Sequence, residues 1–314
     1  MNLGLGTAAL GRPQYINVRQ EKNESVDLEA FKNAGFKVLE NAYQLGIRYF
    51  DTAPGYGLAE QLLLDWLSSK NDPTIQVATK WGYTYVANFN PKAKIHEVKE
   101  HSVDKLNEQW DVSKAFSTNL KVYQIHSATL ETGVLNNEEV LNRLAFLQRE
   151  HHIEIGITTT GTNQTEVIKK ALDVSVNGKQ LFDVFQVTYN VLDQSLNSIS
   201  EELMQQDKRI IIKEALANGR LFRNERFSHY NGLYKTLEAL ALKHQVATDA
   251  IALKFCQQSI EDSLVLSGAS HKAHLESNIK ANVIVLTEDE MMSLKDFKIS
   301  TTNYWQERKQ LVWN

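Results

Sequence analysis

Four residues whose types suit proton transfer follow three separate apolar runs. Asp51 and Tyr56 lie in "FDTAPGYG", directly after "IRYF". Lys80 ends "QVATK", and His126 ends "VYQIH". Each run is rich in β-branched or aromatic residues and is predicted to be a strand. The four side chains therefore stand at or just past strand ends.

Each of these groups changes the chemistry of the others. A free phenol has a pKa of about 10, which is too high for an efficient acid near neutrality. A lysine cation beside Tyr56 would lower that pKa, and the Asp51 carboxylate would keep a buried lysine charged. A neutral histidine can orient a substrate oxygen. The set favours carbonyl reduction or alcohol oxidation, with a cofactor carrying the hydride.

Eight short apolar runs alternate with amphipathic segments of helical length. The runs are "NLGLGTA", "IRYFDTA", "IQVATKW", "LKVYQIHS", "IEIGITT", "FDVFQVTYN", "RIIIKEA" and "SLVLSGA". Several are apolar almost throughout, which is typical of strands buried on both faces of a parallel sheet. This alternation predicts one (β/α)8 barrel domain over residues 1–314, with an open doubly wound sheet as the alternative.

Composition excludes several classes of protein. The chain has 314 residues, a formal net charge of -4 and a single cysteine, Cys256. No basic stripe, signal-peptide pattern or run of apolar residues long enough to span a bilayer is present. We therefore expect a cytoplasmic protein without a disulfide, a bound metal, a nucleic-acid partner or a membrane span. A monomer or weak homo-oligomer is expected.

In a barrel, the active site gathers the carboxyl ends of the strands. Alone, each polar residue there has a simpler interpretation: a strand-end lysine is usually solvated, and Asp51 could cap a helix. Their convergence on one rim favours function. Further polar or small residues at predicted strand ends are Thr7, Thr158, Thr159, Gln186, Lys213 and Gly268.

"FDTAPGYG", "VATKWG" and "YQIHSA", in this order, resemble the aldo-keto reductase family. The resemblance runs from about Gly4 to about Asn278. It implies a (β/α)8 barrel, a nicotinamide dinucleotide extended across the barrel mouth, and a small carbonyl or sugar substrate. The family's catalytic tetrad falls on Asp51, Tyr56, Lys80 and His126, with Tyr56 as general acid or base. The direction of the reaction and the identity of the substrate stay open. Tyr83, Ser127 and Tyr189 are candidate substrate contacts by their position beside strand ends.

The resemblance also implies cofactor contacts, and it favours NADP(H) while leaving NAD(H) possible. These contacts fall on Gly6, Thr7, Ala8, Asp51, Thr158, Thr159, Gln186, Lys213, Ala215, Leu216, Gly268, Ala269, Ser270, Lys272, His274 and Asn278.

The sequence departs from the family pattern in several places. The N-terminal hairpin that usually plugs the barrel floor is expected to be absent. Thr158-Thr159 replaces a usual Ser-Asn pair, and Lys213 stands where many members have an aromatic ring. At the adenosine end, Lys272 and two histidines replace the usual arginine. The aromatic C-terminal tail, residues 298–314, is expected to pack on the barrel wall.

Other interpretations stay open or fail on spacing. Gly4, Gly6 and Ala9 match a dinucleotide-binding turn, but "GRP" follows where a helix should begin. His96 and His101 are five residues apart, not the four that a zinc helix requires. A nicotinamide-binding regulatory subunit and a barrel hydrolase or isomerase are the other functional classes considered.

Overall fold

The computed structural model describes residues 2–13, 18, 27–90 and 92–311. Eight parallel strands close a barrel in the order β1-β8-β7-β6-β5-β4-β3-β2. They are β1 (Leu3–Gly6), β2 (Tyr49–Asp51), β3 (Gln76–Trp81), β4 (Leu120–Ala128), β5 (Glu154–Thr159), β6 (Val184–Thr188), β7 (Arg209–Lys213) and β8 (Leu264–Ser267). Each strand coincides with a predicted run, with β4 extending one residue beyond it, to Ala128. Because the strand order closes on itself, the (β/α)8 barrel is confirmed in place of an open sheet.

Helices surround this barrel. Those in the described residues are α1 (Ala8–Gly11), α2 (Leu28–Gln44), α3 (Ala59–Leu67), α4 (Val103–Ser113), α5 (Glu138–His151), α6 (Gln164–Leu172), α7 (Ser200–Gln205), α8 (Asn231–His244), α9 (Thr248–Ser259), α10 (Lys272–Asn278), α11 (Glu288–Lys295) and α12 (Thr301–Lys309). Helix α2 starts at Asp27, whose carboxylate accepts hydrogen bonds from two amides of the first turn. Its apolar face, with Val38 and Leu39, packs into the core between helices and strands.

The barrel interior explains where the polar residues stand. Successive side chains of a strand point to opposite faces, so every second one faces the interior. A small buried apolar cluster consists of Tyr49, Ala78, Val122, Val184, Ile211 and Leu266. Two residues further along five of these strands come Asp51, Lys80, Gln124, Gln186 and Lys213. The alternation thus sets a polar layer above the apolar one, at the carboxyl ends.

Two additions frame the barrel mouth. A hairpin of Tyr83–Tyr85 and Glu97–Lys99 follows β3 and packs on the Tyr56 loop. Helix α12 lies at the C-terminal end, with Tyr304 and Trp305 buried against the core. Only Asn2 precedes β1 in the described residues, which therefore contain no floor hairpin. No helix in the described part of the chain is long and apolar enough to cross a membrane.

Candidate active site

A buried ion pair forms the base of the site. Lys80 Nζ donates a hydrogen bond to Asp51 Oδ1 at 2.5 Å and another to the carbonyl of Thr52 at 2.9 Å. The Lys80 and Asp51 side chains are 0% and 3% exposed. Gln186 Nε2 donates to the second Asp51 oxygen at 2.7 Å. Asp51 therefore joins the ends of β2, β3 and β6 and offers the buried lysine a compensating charge.

Glycines allow the Tyr56 loop to pack tightly. Pro54–Tyr56 forms one 3-10 turn, and Gly57 follows with φ 66°. A Cβ on Gly11 would lie 1.9 Å from the Tyr56 carbonyl oxygen, so only glycine lets the loop after β1 approach so closely. The phenol of Tyr56 lines a cavity, and its ring centroid is 4.8 Å from Lys80 Nζ.

A distortion of β4 positions His126. The strand shifts its register at its carboxyl end, where Ser127 has φ 52°. Such a bulge turns the neighbouring side chains away from regular alternation. The Ser127 amide donates to Thr158 Oγ1 at 2.6 Å, which fastens the bulge to β5. The His126 ring centroid lies 5.4 Å from that of Tyr56 and 4.7 Å from that of Tyr83.

The surroundings hold both rings uncharged. Burial, and then the Lys80 charge, keeps the pKa of His126 well below its ordinary value, so the imidazole is neutral at physiological pH. Burial, and then the Asp51 charge, raises the pKa of Tyr56 well above its ordinary value. A nearby lysine alone would lower this pKa, but burial and the Asp51 charge outweigh Lys80, whose Nζ lies 4.8 Å from the ring centroid.

A cavity of about 600 Å³ opens at the carboxyl ends of the strands, and both Tyr56 and His126 line it. Most of the residues predicted to bind a cofactor also line it. They are Gly6, Ala8, Asp51, Thr158, Gln186, Lys213, Ala215, Leu216, Gly268, Ala269, Ser270, His274 and Asn278. One cavity thus joins the candidate proton-transfer residues to the loops after β7 and β8.

Three predicted cofactor contacts point elsewhere. Thr7 is buried, and its hydroxyl donates to the Asp51 carbonyl at 3.0 Å. The Thr159 hydroxyl bonds to Gln164 at 3.4 Å, away from the cavity. The exposed Lys272 side chain lies 3.5 Å from Glu276. None of the three lines the cavity. Neighbouring side chains point to opposite faces of a strand and are rotated around the axis of a helix, so a residue beside a cavity-lining one can face away.

Tyr189, which position suggested as a substrate contact, is also absent from the cavity wall. Its side chain is fully buried and stacks on Phe255, with ring centroids 6.0 Å apart. Ser127, a second such candidate, does line the cavity. The third, Tyr83, packs edge-on against His126 instead. Burial, and then the Glu97 charge, raises the pKa of Tyr83 to about 12.

Several charged residues line the cavity that sequence reasoning did not select. They are Arg12, Glu97, Glu214, Arg223, Asp249 and Arg308. Arg12 Nη1 donates to Glu97 at 2.8 Å, with its guanidinium 5.5 Å from the Tyr56 ring centroid. In the sequence, Arg12 is only a charged residue in "GRP" near a predicted strand end, and this motif was interpreted as preventing a helix. Arg308 lies in the tail predicted to touch only the barrel wall.

No candidate metal site is present in the described residues, which contain no group of three or more His, Cys, Asp or Glu side chains arranged to hold an ion.

Fold and site together define a barrel with a tyrosine, a histidine and a lysine-aspartate pair at one polar mouth. The model of the Aldo/keto reductase family matches residues 2–299. The chain therefore belongs to this family, whose members are oxidoreductases. The resemblance drawn from "FDTAPGYG", "VATKWG" and "YQIHSA" is confirmed at the level of the family.

Individual relatives are distant. An aryl-alcohol dehydrogenase of Pestalotiopsis microspora is 22% identical over 86% of this chain and 75% of its own length. The holo form of aldo-keto reductase AKR11C1 from Bacillus halodurans superposes with a TM-score of 0.71, at 21% identity, covering 95% and 92% of the two chains. A variant of Gox0644 in complex with NADPH gives a TM-score of 0.63 at 18% identity, covering 95% and 89%. At these identities the solved structures support the fold alone.

Proposed function

We propose that this protein is an NAD(P)(H)-dependent oxidoreductase that reduces the carbonyl of an aldehyde, ketone or sugar to an alcohol, or catalyses the reverse reaction. One observation carries the proposal. The Tyr56 phenol faces a cavity beside the neutral imidazole of His126 and above the buried Lys80–Asp51 pair. This arrangement supplies a proton and an orienting group, but no strong nucleophile.

The residues present fit a bound nicotinamide dinucleotide. The cavity volume is within the range of small-molecule sites. A Cβ on Gly268 would meet no atom within 4 Å, so the bare backbone there leaves room for a ligand. Thr158 accepts a bond from the Ser127 amide, which leaves its hydroxyl proton for a ligand acceptor. We propose that Thr158, Gln186, Gly268, Ala269 and Asn278 hold the cofactor, whose nicotinamide would supply or accept the hydride.

This chain's own residues would then handle the oxygen and its proton. Tyr56 keeps its proton in the resting site because its pKa is raised. It can still donate that proton during reduction, because hydride addition turns the carbonyl oxygen into an alkoxide, which is a stronger base than a phenolate. His126, being neutral, can donate a second hydrogen bond and orient that oxygen. Lys80 and Asp51 fix the strand ends on which both groups depend.

We propose NADP(H) as the first cofactor to test, and NAD(H) as the second. The NADPH in one structurally similar protein supports this order. Lys272 gives no further support, since its ammonium faces Glu276 rather than the cavity. The charge of an adenosine phosphate would have to be met by other groups, such as His274 on the cavity wall.

Replacing Tyr56 tests the proposal. Tyr56→Phe removes the proton donor and should lower kcat for carbonyl reduction by at least about a hundredfold. Cofactor affinity should change by less than about threefold, because the substitution removes an interaction made with the reacting oxygen in the transition state and not one that binds the cofactor. NADPH oxidation with a panel of aldehydes and ketones gives kcat, and tryptophan quenching gives the dissociation constant.

Tyr43→Phe is the matched control, since its phenol bonds to Asp72 on the outside of the barrel. It should leave both quantities unchanged. Substantial activity in Tyr56→Phe would show that another group donates the proton. Tight cofactor binding by the wild type without turnover of any carbonyl would favour the regulatory-subunit alternative.

A further inference from the structure

Lys213 places an ammonium group on the cavity wall without a carboxylate beside it. It ends β7 on the inward face, opposite Thr188 of β6. Its Nζ donates to the Thr188 hydroxyl at 3.1 Å. Among the described residues, no carboxylate oxygen lies within the 4.0 Å ion-pair distance of this nitrogen. The adjacent Glu214 is instead paired with Arg308 at 2.6 Å.

Charged groups from the adjoining residue and from three other parts of the fold act on this amine. Burial is the largest cause that lowers the pKa of Lys213, to about 8, and Arg308 and Lys80 lower it further. Glu214 and Asp193 act in the opposite direction. At pH 7 the amine is therefore still mostly protonated. Its charge is also among the causes that lower the pKa of His126, so the two groups belong to one electrostatic neighbourhood.

If the proposed function is correct, the position of the nicotinamide follows from that of Tyr56. Tyr56 would protonate the oxygen of the carbonyl whose carbon exchanges a hydride with the nicotinamide. The nicotinamide ring must then occupy the part of the cavity near Tyr56 and His126. Lys213 and Gln186 line this same cavity. Gln186 lies two residues before Thr188 on β6, and its amide donates a hydrogen bond to Asp51.

We infer that Lys213 makes the cavity selective for the redox state of its cofactor, binding the uncharged reduced nicotinamide more tightly than the cationic oxidised one. Lys213 lines the same cavity as Tyr56 and His126, so its charge would repel a cationic ring bound there. A neutral ring escapes this repulsion. Lys213 thus acts on the cofactor by charge, in addition to any contact it makes.

The expected difference is large enough to measure. We expect the oxidised dinucleotide to bind at least about tenfold more weakly than the reduced one at pH 7. For a two-electron couple, a tenfold ratio corresponds to about 30 mV. The bound cofactor would therefore be a weaker reductant than the free one, while the oxidised form would leave readily after a reduction.

Equilibrium binding tests this inference without turnover. Dissociation constants for NADPH, NADP+, NADH and NAD+ are measured at pH 7 by tryptophan quenching, for the wild type and three variants. Lys213→Met should reduce the oxidised-to-reduced ratio to within about threefold, since the repelling charge is gone. Lys213→Arg keeps the charge and should keep the ratio. Lys114→Met, at an exposed lysine paired with Asp111, should leave it unchanged.

The outcomes separate this inference from the proposed function. If no dinucleotide binds, the proposed function itself fails. If both redox forms bind the wild type equally, or if Lys213→Met binds both and keeps the wild-type ratio, the inference is overturned and the proposed function stands. If Lys213→Met does not fold, the wild type measured at pH 7 and at pH 9 replaces it: loss of the Lys213 proton should lower the ratio, and an unchanged ratio would overturn the inference.

Discussion

At the scale of single residues, the Lys80–Asp51 pair matters more for architecture than for tuning Tyr56. The lysine is completely buried and touches Asp51 and the Thr52 carbonyl. A buried charge that loses its partner is costly, whereas replacing both charges together can be nearly neutral. The pair should therefore show strong coupling in stability.

Lys80→Met should lower the free energy of unfolding by about 3–5 kcal/mol, because it leaves Asp51 buried without its cation. The double variant Lys80→Met/Asp51→Asn should recover at least half of that loss. Urea unfolding at pH 7 measures both. Lys70→Met, which breaks a partly exposed pair with Glu40, should cost less than about 1 kcal/mol. Equal effects of the two lysine substitutions would contradict this account.

At the scale of elements, Glu60 joins three parts of the barrel wall. It lies on α3, and its carboxylate accepts bonds from Thr79 of β3 at 2.5 Å and from Ser113 of α4 at 2.9 Å. Burial is the largest cause that raises the pKa of Glu60, to about 7, although these hydrogen bonds and Lys80 lower it. The buried carboxylate is thus ionised only above neutral pH.

This raised pKa makes stability depend on pH. The contribution of Glu60 is fully present below its unfolded value of 4.5 and is lost as pH rises through about 7, because the folded state then holds the proton more tightly than the unfolded state. The loss between pH 4.5 and 8 should be about 2–3 kcal/mol.

Glu60→Gln cannot titrate, so its stability relative to the wild type should increase from pH 5 to pH 8. Urea unfolding of both proteins at several pH values gives this difference. Glu108→Gln, at an exposed carboxylate paired with Lys105, should show almost no such trend. A constant difference between Glu60→Gln and the wild type across this range would mean that Glu60 does not titrate near neutrality.

At the scale of the whole molecule, helix α12 is fastened to the barrel mouth. The Tyr304 hydroxyl accepts a bond from Asn190 at 2.9 Å, and Arg220 donates to the Tyr304 carbonyl at 3.1 Å. Arg308 binds Glu214 at the cavity. Trp313, predicted to be part of the same aromatic tail, lies outside the described residues. The tail therefore helps to shape the site as well as packing on the wall.

These contacts predict that residues 1–314 unfold as one domain. Urea unfolding should show a single transition, coincident by far-UV circular dichroism and by tryptophan fluorescence. Trp305→Phe removes the fluorophore of α12, so the difference between the two proteins reports on that helix. An earlier transition seen only in this difference would make α12 an independently unfolding unit. Sedimentation of the same samples tests the predicted monomer or weak oligomer.

Much of the candidate site could be predicted from local pattern. The apolar strands and their polar ends are visible in the sequence because a buried strand must be apolar along its body. Asp51, Lys80 and His126 follow directly from that pattern, and Tyr56 from the loop between glycines. The pKa of Tyr56 could not be predicted this way, since it depends on burial at the barrel mouth and then on the Asp51 charge.

By itself, the sequence determined the barrel and its strand ends, because apolar runs and the polar residues that follow them are visible in short segments. The assignment of Asp51, Tyr56, Lys80 and His126 as a catalytic tetrad came from the family resemblance and stays a prediction. Only the tertiary structure decided which way the loop and helix residues face. It brings Arg12, Asp249 and Arg308 to the cavity and turns Thr159 and Lys272 away from it. The physical reason is that such directions are set by closure of the barrel and by contacts between residues far apart in the chain, which no local pattern records.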